Sequence, residues 1–231
     1  MLTLEAVEIR QGAFHLAADF SVETGARVAM IGPSGAGKST LLDVIAGFLQ
    51  PTAGRVLLDG LDITALPPAQ RGCAIVFQDN NLLPHFTVAQ NIGLGARPDL
   101  RLDRADRQRV AHAIERVGLT GFEARKPGQL SGGQQVRVAL ARVLVQRQPL
   151  VLLDEPFAAL GPALKTEMLG LVDELMDETG ATLLMVSHDP ADARRIAPRT
   201  VLVADGRAEP PCDTGALLAD PPPALRRYLG S

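Results

Sequence analysis

The stretch "RVAMIGPSGAGKSTLLDVIAGF", residues 27–48, is the most informative part of the sequence about the fold. Its apolar start, "RVAMI", is typical of a buried strand, and "TLLDVIAGF" at its end is typical of a helix. The glycines between them allow backbone N–H groups to close around a phosphate at the start of that helix, and Lys38 adds a positive charge. This order of strand, loop and helix predicts a phosphate-binding loop in an α/β protein.

The residues of this loop are expected to bind a nucleotide through its phosphates. Lys38 is placed to reach the β- and γ-phosphate oxygens, and the Ser39 hydroxyl can join the ligands of Mg²⁺. A glycine-rich turn that only caps a helix is the alternative, and the complete GxxxxGK[ST] pattern between a strand and a helix disfavours it. The predicted nucleotide-binding residues of the loop are Gly32, Pro33, Ser34, Gly35, Ala36, Gly37, Lys38, Ser39 and Thr40.

Further apolar runs predict a sheet. They read "LTLEAVEI", "FHLAADFSV", "GRVLLDG", "CAIVFQ", "PLVLLDEP", "ATLLMVSH" and "RTVLVADG". The first two alternate as half-buried strands, and helical stretches separate several of the others, which indicates a mainly parallel sheet covered by helices. Ligands of such sheets gather at the carboxyl ends of the strands. The polar residues that end these runs are therefore site candidates: Gln78, Asp154, Glu155 and His188.

Each of these polar residues has chemistry that suits a nucleotide site. Asp154 ends a buried strand, where a carboxylate is costly unless it is paired or serves a cation, so we expect it to hold Mg²⁺ through water. Glu155 is suited to polarise a water that attacks the γ-phosphate. His188 is expected to contact the γ-phosphate, although a lone histidine is more often structural. The Gln78 amide is expected to contact Mg²⁺ or the attacking water.

Residues 86–141 lack strand-like runs and are predicted to form helices, including the arginine-rich "RLDRADRQRVAHAIERVG". Such charges are typical of a solvated helix face with opposite charges near each other. Over the whole chain 23 basic residues oppose 26 acidic ones, for a net charge of -3. Nucleic acid is therefore not favoured as a partner. A chain of 231 residues, 46% of them hydrophobic, is expected to form one domain with a subdomain.

The stretch "QLSGGQQVRVALAR", residues 129–142, begins a helix that is also suited to an anion. Ser131 is a good N-cap, and the small residues after it leave the first backbone N–H groups accessible. A chain that already has one phosphate-binding loop needs a reason for a second anion site.

In this order the motifs resemble the ATPase subunit of ABC transporters: a Walker A loop "GPSGAGKST", a Q-loop glutamine in "VFQ", the signature "LSGGQ", a Walker B strand "LVLLDE" and a switch histidine in "SHD". The resemblance spans nearly the whole chain and implies ATP and Mg²⁺ as ligands. It also implies a single ABC ATPase domain, 1–231. The expected parts are an α/β P-loop core with a mainly parallel sheet and an N-terminal antiparallel β subdomain, 1–85 and 142–231, and a helical signature subdomain, 86–141.

In that family two subunits pack head to tail, and the signature of one closes over the ATP bound to the Walker A loop of the other. The resemblance therefore implies that Ser131, Gly132, Gly133 and Gln134 act on the ATP of a second copy of the chain, with the positive helix start facing the phosphates. It further implies ATP hydrolysis that drives integral membrane permease subunits, an indirect partnership with a periplasmic or extracellular solute-binding protein, and a peripheral location on the cytoplasmic face of the bacterial plasma membrane.

Within the family, "FQDNNLLPHFTVAQNIGLG", "VIAGFLQPTAG" and "TLLMVSHDPADARRIA" most resemble the ATPase subunit of bacterial thiamine importers. Two positions depart from the family pattern. Gly161 stands where an aspartate usually ends the loop after Walker B, and near the position of the aromatic that stacks on adenine the sequence offers Phe14. The alternatives are an ATPase for import of another small solute, a soluble ABC ATPase that acts on DNA or ribosomes, and a P-loop kinase, which has no use for "LSGGQ".

Overall fold

The structure, a computed structural model, describes residues 1–229. The chain divides into two compact units. Unit 1 comprises Met1–Cys73, Pro149–Asp154 and the chain from Gly180 onward, and unit 2 comprises Ala74–Gln148 and Glu155–Thr179. The predicted helical subdomain, 86–141, falls within unit 2, and its bounds stay a prediction. Residues 230 and 231, the end of the predicted domain, lie outside the described residues.

The longer strands follow the apolar runs of the sequence, and three two-residue strands do not. The strands are β1 (Leu2–Gln11), β2 (Phe14–Val22), β3 (Arg27–Ile31), β4 (Ala53–Leu58), β5 (Leu61–Asp62), β6 (Cys73–Val76), β7 (Leu150–Asp154), β8 (Thr182–Val186), β9 (Arg199–Ala204), β10 (Arg207–Ala208) and β11 (Cys212–Asp213).

Six of the described helices lie between strands in the sequence, and the last two follow β11. The helices are α1 (Lys38–Ala46), α2 (Val88–Gly93), α3 (Arg104–Arg116), α4 (Gly132–Gln146), α5 (Pro162–Thr179), α6 (Pro190–Ile196), α7 (Thr214–Ala219) and α8 (Pro223–Leu229), with short 3₁₀ turns at Pro68–Gln70 and Pro127–Gln129.

The sheet of unit 1 has an antiparallel and a parallel part. Its strands lie in the order β5-β4-β1-β2-β10-β9-β3-β8-β7, and β11 also pairs with β9. The strand β1 is antiparallel to β2 and β4, whereas β3 is parallel to β8 and β9, and β7 is parallel to β8. The parallel strands β7 and β8 are buried almost throughout, as expected of strands that helices cover on both faces. The predicted α/β fold with an N-terminal antiparallel region is confirmed.

A buried arginine fixes the end of helix α1 in unit 1. Arg71 is 0% exposed, and its guanidinium donates to the backbone oxygens of Val44 and Ile45 at 2.7 and 3.2 Å. It also donates to the backbone oxygens of Leu66, at 2.8 Å, and of Thr64. These carbonyls accept the N–H donors of a charge that is buried away from solvent. Because α1 begins at the Walker A loop, Arg71 holds that loop from the far end of its helix.

Unit 2 is built on helices whose starts are capped locally. The helices α2, α3 and α4 each begin with a reciprocal capping box, with Thr87, Asp103 and Ser131 as the N-caps. In α3 the buried carboxylate of Asp106 accepts hydrogen bonds of 2.5 Å from both Arg109 and Arg97. Part of the arginine-rich segment therefore forms an ion-pair cluster that fixes the start of α3, in addition to its solvated face.

Candidate nucleotide site

The Walker A loop needs its first glycine for a packing reason. Gly32 follows β3 with φ of 152°, and a Cβ on it would lie 1.9 Å from the carbonyl oxygen of Val203 in β9. No side chain fits between the two strands, so only glycine allows the loop to leave the sheet at this point. The sequence predicted a phosphate-related role for this glycine, and the close approach to β9 is an additional constraint.

Lys38 lies inside the loop that its own residues form. Lys38 is only 6% exposed, and its ammonium donates to the backbone oxygens of Gly32 at 2.8 Å and Pro33 at 3.0 Å. Among the described residues no side chain caps the start of α1. A lysine ammonium and an uncapped helix N-terminus thus lie at one loop, which fits the binding of phosphate.

Asp154 meets the Walker A loop directly. The Ser39 hydroxyl donates to Oδ1 of Asp154 across 2.9 Å, although the two residues lie far apart in the sequence. Asp154 is the last residue of the buried strand β7, opposite Val186 of β8. A hydroxyl and a carboxylate are oxygen ligands of the kind that Mg²⁺ prefers beside a phosphate. The residues present therefore fit a nucleotide with its Mg²⁺ ion.

Glu155 has an unusual backbone conformation. Its φ is 45°, in the left-handed region that costs a non-glycine residue roughly 1–2 kcal/mol. The chain turns sharply here, immediately after Asp154. The carboxylates of Asp154 and Glu155 therefore do not follow the regular alternation of side chains along a strand. Strain of this kind is concentrated at functional positions, which agrees with a role for Glu155 that differs from that of Asp154.

His188 belongs to the same edge of the parallel sheet as the Walker A loop. It lies just beyond β8, whose Val186 pairs with Met30 of β3, and it is exposed. The preceding residue, Ser187, donates its backbone N–H to the carbonyl of Met30 at 3.2 Å. Unit 1 thus brings the Walker A loop, Asp154 and His188 to the carboxyl ends of β3, β7 and β8.

Phe14 packs against the last glycine of the Walker A loop. A Cβ on Gly37 would lie 2.6 Å from the Phe14 ring, and Gly37 has a φ of 102° that favours glycine. The sequence offered Phe14 only as a residue near the adenine-stacking position. In the structure its ring covers the loop immediately before Lys38, a contact that no local pattern in the sequence indicated.

The signature motif lies in unit 2 at the start of α4. Ser131 Oγ accepts the backbone N–H of Gln134 at 3.3 Å, and Gln134 Oε1 accepts the backbone N–H of Ser131 at 2.9 Å. Because a hydroxyl is a donor as well as an acceptor, the cap leaves the Ser131 proton able to donate to a phosphate. A Cβ on Gly133 would lie 2.6 Å from the Leu164 side chain in α5. Glycine is therefore required there by packing.

The segment after β6 carries the predicted Q-loop. Gln78 is exposed and lies in unit 2, beyond the end of β6 at Val76. Asn80 and Asn81 follow with φ of 60° and 45°, so the chain reverses directly after the glutamine. This conformation places Gln78 at the beginning of a tight turn rather than in the strand.

In unit 2 the side chains of Asn91 and Arg142 form a hydrogen-bond cluster that holds the segment after this turn. No pattern in the sequence indicated this cluster. Asn91 in α2 is 0% exposed and donates to the backbone oxygens of Leu83, Phe86 and Thr87. Arg142 in α4, the helix of the signature, donates to both the side chain and the backbone of Asn91 at 3.1 Å. It also reaches the carbonyl of Asn81 at 3.0 Å. The Q-loop segment and the signature helix are thus joined by direct hydrogen bonds.

The departure at Gly161 lies at the start of α5. The Gly161 carbonyl accepts the backbone N–H of Lys165 at 2.9 Å, so Gly161 is in the N-cap position before Pro162. Within the described residues, a Cβ on Gly161 would have no neighbour within 4 Å. Space does not explain why glycine stands where the family pattern has an aspartate.

Comparison with known proteins gives the site a family context. The family model described as "ABC transporter" matches residues 17–158. The chain is 62% identical over 230 residues to the thiamine import ATP-binding protein ThiQ of Cereibacter sphaeroides, covering 100% of both. It is 61% identical to the protein of the same name from a Ruegeria species, again over 100% of both. Among solved structures, the ATP-binding cassette MJ0796, a dimer in a post-hydrolysis state bound to ADP and Pi, matches with a TM-score of 0.80 and 31% identity, covering 93% of this chain and 99% of that one.

Proposed function

We propose that this chain, which belongs to the ABC transporter family, is the ATP-hydrolysing subunit that energises a membrane complex for import of thiamine or thiamine phosphates. The observation that carries the ATPase part is the contact of Ser39 with Asp154 beside the buried Lys38. A glycine-rich turn that served only to cap a helix would need neither the lysine nor the carboxylate.

The proposed roles follow from what each side chain can do. ATP with Mg²⁺ supplies the reactive γ-phosphate and the charge that neutralises it. Lys38 would bind phosphate oxygens in place of its backbone carbonyl partners, and Ser39, Asp154 and Gln78 would hold the metal. Glu155 accepts a proton from the attacking water, while His188 contacts the γ-phosphate. Among the described residues, we propose Glu155, His188 and Gln78 as the catalytic group.

The signature would complete the site of a second copy. Ser131 and Gly133 contribute a hydroxyl proton and a helix start that suit a γ-phosphate, and Gln134 holds Ser131 in place through the capping box. The similar cassette MJ0796 is a dimer, which supports the pairing of two copies. In the proposal two copies pack head to tail, and each ATP lies between the Walker A loop of one copy and the signature of the other.

The membrane side of the proposal rests on the family. No helix within residues 1–229 is long and apolar enough to span a bilayer. From the family we infer that integral permease subunits carry the solute and that the chain lies peripherally on the cytoplasmic face of the bacterial plasma membrane. A solute-binding protein on the other side would act on the chain only through the permease. The substrate is taken from the names of the full-length relatives.

The proposal is tested by reconstituting the chain with its permease in liposomes. With ATP at the cytoplasmic face and a solute-binding protein outside, we expect uptake of labelled thiamine and ATPase stimulation by the thiamine-loaded binding protein. The matched control is the same complex carrying Lys38→Ala, which removes the phosphate-binding ammonium. ATP-dependent uptake of an unrelated solute, with none for thiamine or its phosphates, would contradict the substrate assignment. Equal ATPase activity in the Lys38→Ala complex would contradict the site.

A further inference from the structure

The loop that carries His188 is tethered on both sides of the histidine. The Ser187 hydroxyl donates to the buried carboxylate of Asp192 in α6 across 2.6 Å. On the other side, the Asp189 backbone N–H donates to Ser187 Oγ at 3.1 Å, and the Asp189 carboxylate caps α6 by accepting the Ala191 N–H at 2.9 Å. The exposed His188 lies between these tethers. Its orientation therefore depends on the peptide groups next to it.

The last helix of the chain reaches this same loop within unit 1. Helix α8 is anchored by Leu225, which is 0% exposed; Arg227 on its surface also forms an exposed ion pair of 3.5 Å with Asp205. From this helix the hydroxyl of Tyr228 donates a hydrogen bond to the backbone carbonyl oxygen of His188. The two residues lie 40 positions apart, so the contact is tertiary and no motif predicts it.

We propose that Tyr228 is a positioning residue for hydrolysis, which acts by fixing the peptide group of His188 and thereby the direction of its imidazole. The inference rests on the proposed contact of His188 with the γ-phosphate. The carbonyl of His188 belongs to the peptide plane that joins it to Asp189, and a hydrogen bond to that oxygen restrains ψ of the histidine. Ser187 and Asp189 fix the ends of the loop, and Tyr228 restrains its middle.

The expected size of the effect follows from the nature of the bond. A single hydrogen bond from a neutral hydroxyl, if it is used fully in the transition state, changes the rate about three- to tenfold. The effect should appear in kcat and leave KM for ATP unchanged, because the phosphates are bound mainly by the Walker A loop. A loss of stability alone would instead lower the active fraction and the thermal midpoint.

The test compares Tyr228→Phe with Arg226→Gln in the reconstituted complex. The first variant removes only a hydroxyl. The second lies on the same helix as Tyr228 and removes an ion pair with Asp220, whose two side chains are exposed at 53% and 88%. It also removes an exposed hydrogen bond of 2.6 Å to the Pro221 carbonyl, and such surface contacts should have little effect. We expect Tyr228→Phe to lower kcat about three- to tenfold at unchanged KM, with a thermal midpoint equal to that of Arg226→Gln, which keeps normal kcat.

A second pair of variants connects the effect to the histidine. Under single-turnover conditions, which detect slow hydrolysis, Tyr228→Phe should lower the rate in the wild-type background and leave it unchanged in the His188→Ala background. Equal losses in both backgrounds, or a normal kcat for Tyr228→Phe, would overturn the inference. If His188→Ala itself keeps normal hydrolysis, the proposed role of His188 fails first. If His188→Ala is impaired and Tyr228→Phe is not, only the role of Tyr228 fails.

Discussion

The Walker A loop of unit 1 and the signature of unit 2 are both suited to phosphate, and they are held in opposite ways. Ser39 contacts Asp154 across 115 positions of the sequence, and Arg71 anchors the helix behind the loop from a distant segment. In contrast, Ser131 and Gln134 lie three positions apart and cap each other. The first site exists only in the folded unit, whereas the second is formed locally by its own helix start.

The two sites therefore differ in what each can bind. The Walker A site depends on tertiary contacts, which bury a lysine and place a metal ligand. It is therefore suited to bind a nucleotide without help from a second molecule. A capped helix start with an exposed Ser131 binds weakly by itself and is suited to complete a site that another molecule brings to it. The comparison therefore favours composite sites between two copies over two independent sites in one chain.

The largest expected effect comes from the carboxylate beside the tertiary site. Glu155→Gln removes the proposed base for the attacking water and preserves size, so we expect hydrolysis to fall about 10²- to 10⁴-fold, while ATP binding persists. With hydrolysis blocked, ATP and Mg²⁺ should trap a dimer of the complete chain, measured by sizing at protein and ATP concentrations well above the affinity for nucleotide. Normal turnover by the variant would refute the role of Glu155. A monomer under all these conditions would count against ATP sites that are completed by a second copy.

A large loss of stability should follow from removing the anchor of the Walker A helix. Arg71→Met keeps most of the apolar stem and leaves several buried backbone carbonyls without a donor, so we expect the free energy of unfolding to fall by about 3 kcal/mol. The control Arg55→Met breaks an exposed ion pair with Glu5 and should cost less than about 1 kcal/mol. Urea unfolding of the full chain measures both. Equal losses would mean that Arg71 is not an anchor.

The ion-pair cluster of unit 2 should show itself at acid pH. Hydrogen bonds from Arg109 and then Arg97 lower the pKa of Asp106 from its ordinary value of 3.8 to about 2. Because the folded-state pKa lies below that of the unfolded chain, the carboxylate stabilises the fold at neutral pH, and this contribution is lost as the pH falls from about 4 towards 2. Asp106→Asn should lower the thermal midpoint at pH 7 and narrow the gap to wild type below pH 3. A constant gap across this range would contradict the assignment.

The smallest expected effect concerns Gly161 at the start of α5. An aspartate there has room for its side chain and would cap the helix, so we expect a gain of a few tenths of a kcal/mol. From the family resemblance, the new aspartate would also bring a charge into contact with the second copy of the dimer. This contact should increase cooperativity in ATP and change basal hydrolysis of the membrane complex. Gly161→Asn is the matched control, because it caps the helix without the charge. Superimposable ATP curves for wild type and Gly161→Asp would leave the coupling proposal without support.

The local patterns of the sequence predicted much of the fold and the candidate site. The parallel strands, the loop around Lys38 and the helix start at Ser131 each follow from residues that are neighbours in the chain. From the sequence, the small residues of the signature were predicted to leave backbone N–H groups accessible. The packing of Gly133 against Leu164 is a second reason for glycine, and only the structure shows it.

Contacts between distant segments could not be predicted from such patterns. Nothing near Arg71 in the sequence indicates that its charge would be satisfied by carbonyls of α1, and no motif connects Tyr228 with His188. The Phe14 ring on Gly37 is a further case, because the sequence showed an aromatic residue near a loop and not the contact between them. In each case the partner is chosen by the packing of the whole unit, which local propensity does not encode.

In the proposed dimer one copy completes the ATP site of the other, and mixed membrane complexes test this arrangement. When a Lys38→Ala chain pairs with a Ser131→Arg chain, both lesions fall in one composite site and the other site is intact, so we predict about half of wild-type hydrolysis if the sites act independently. When a chain with both substitutions pairs with a wild-type chain, each composite site has one lesion, so we predict almost none. The opposite result, an inactive first complex and a half-active second one with all chains present and folded, would show that each copy hydrolyses ATP with its own signature and would contradict the account.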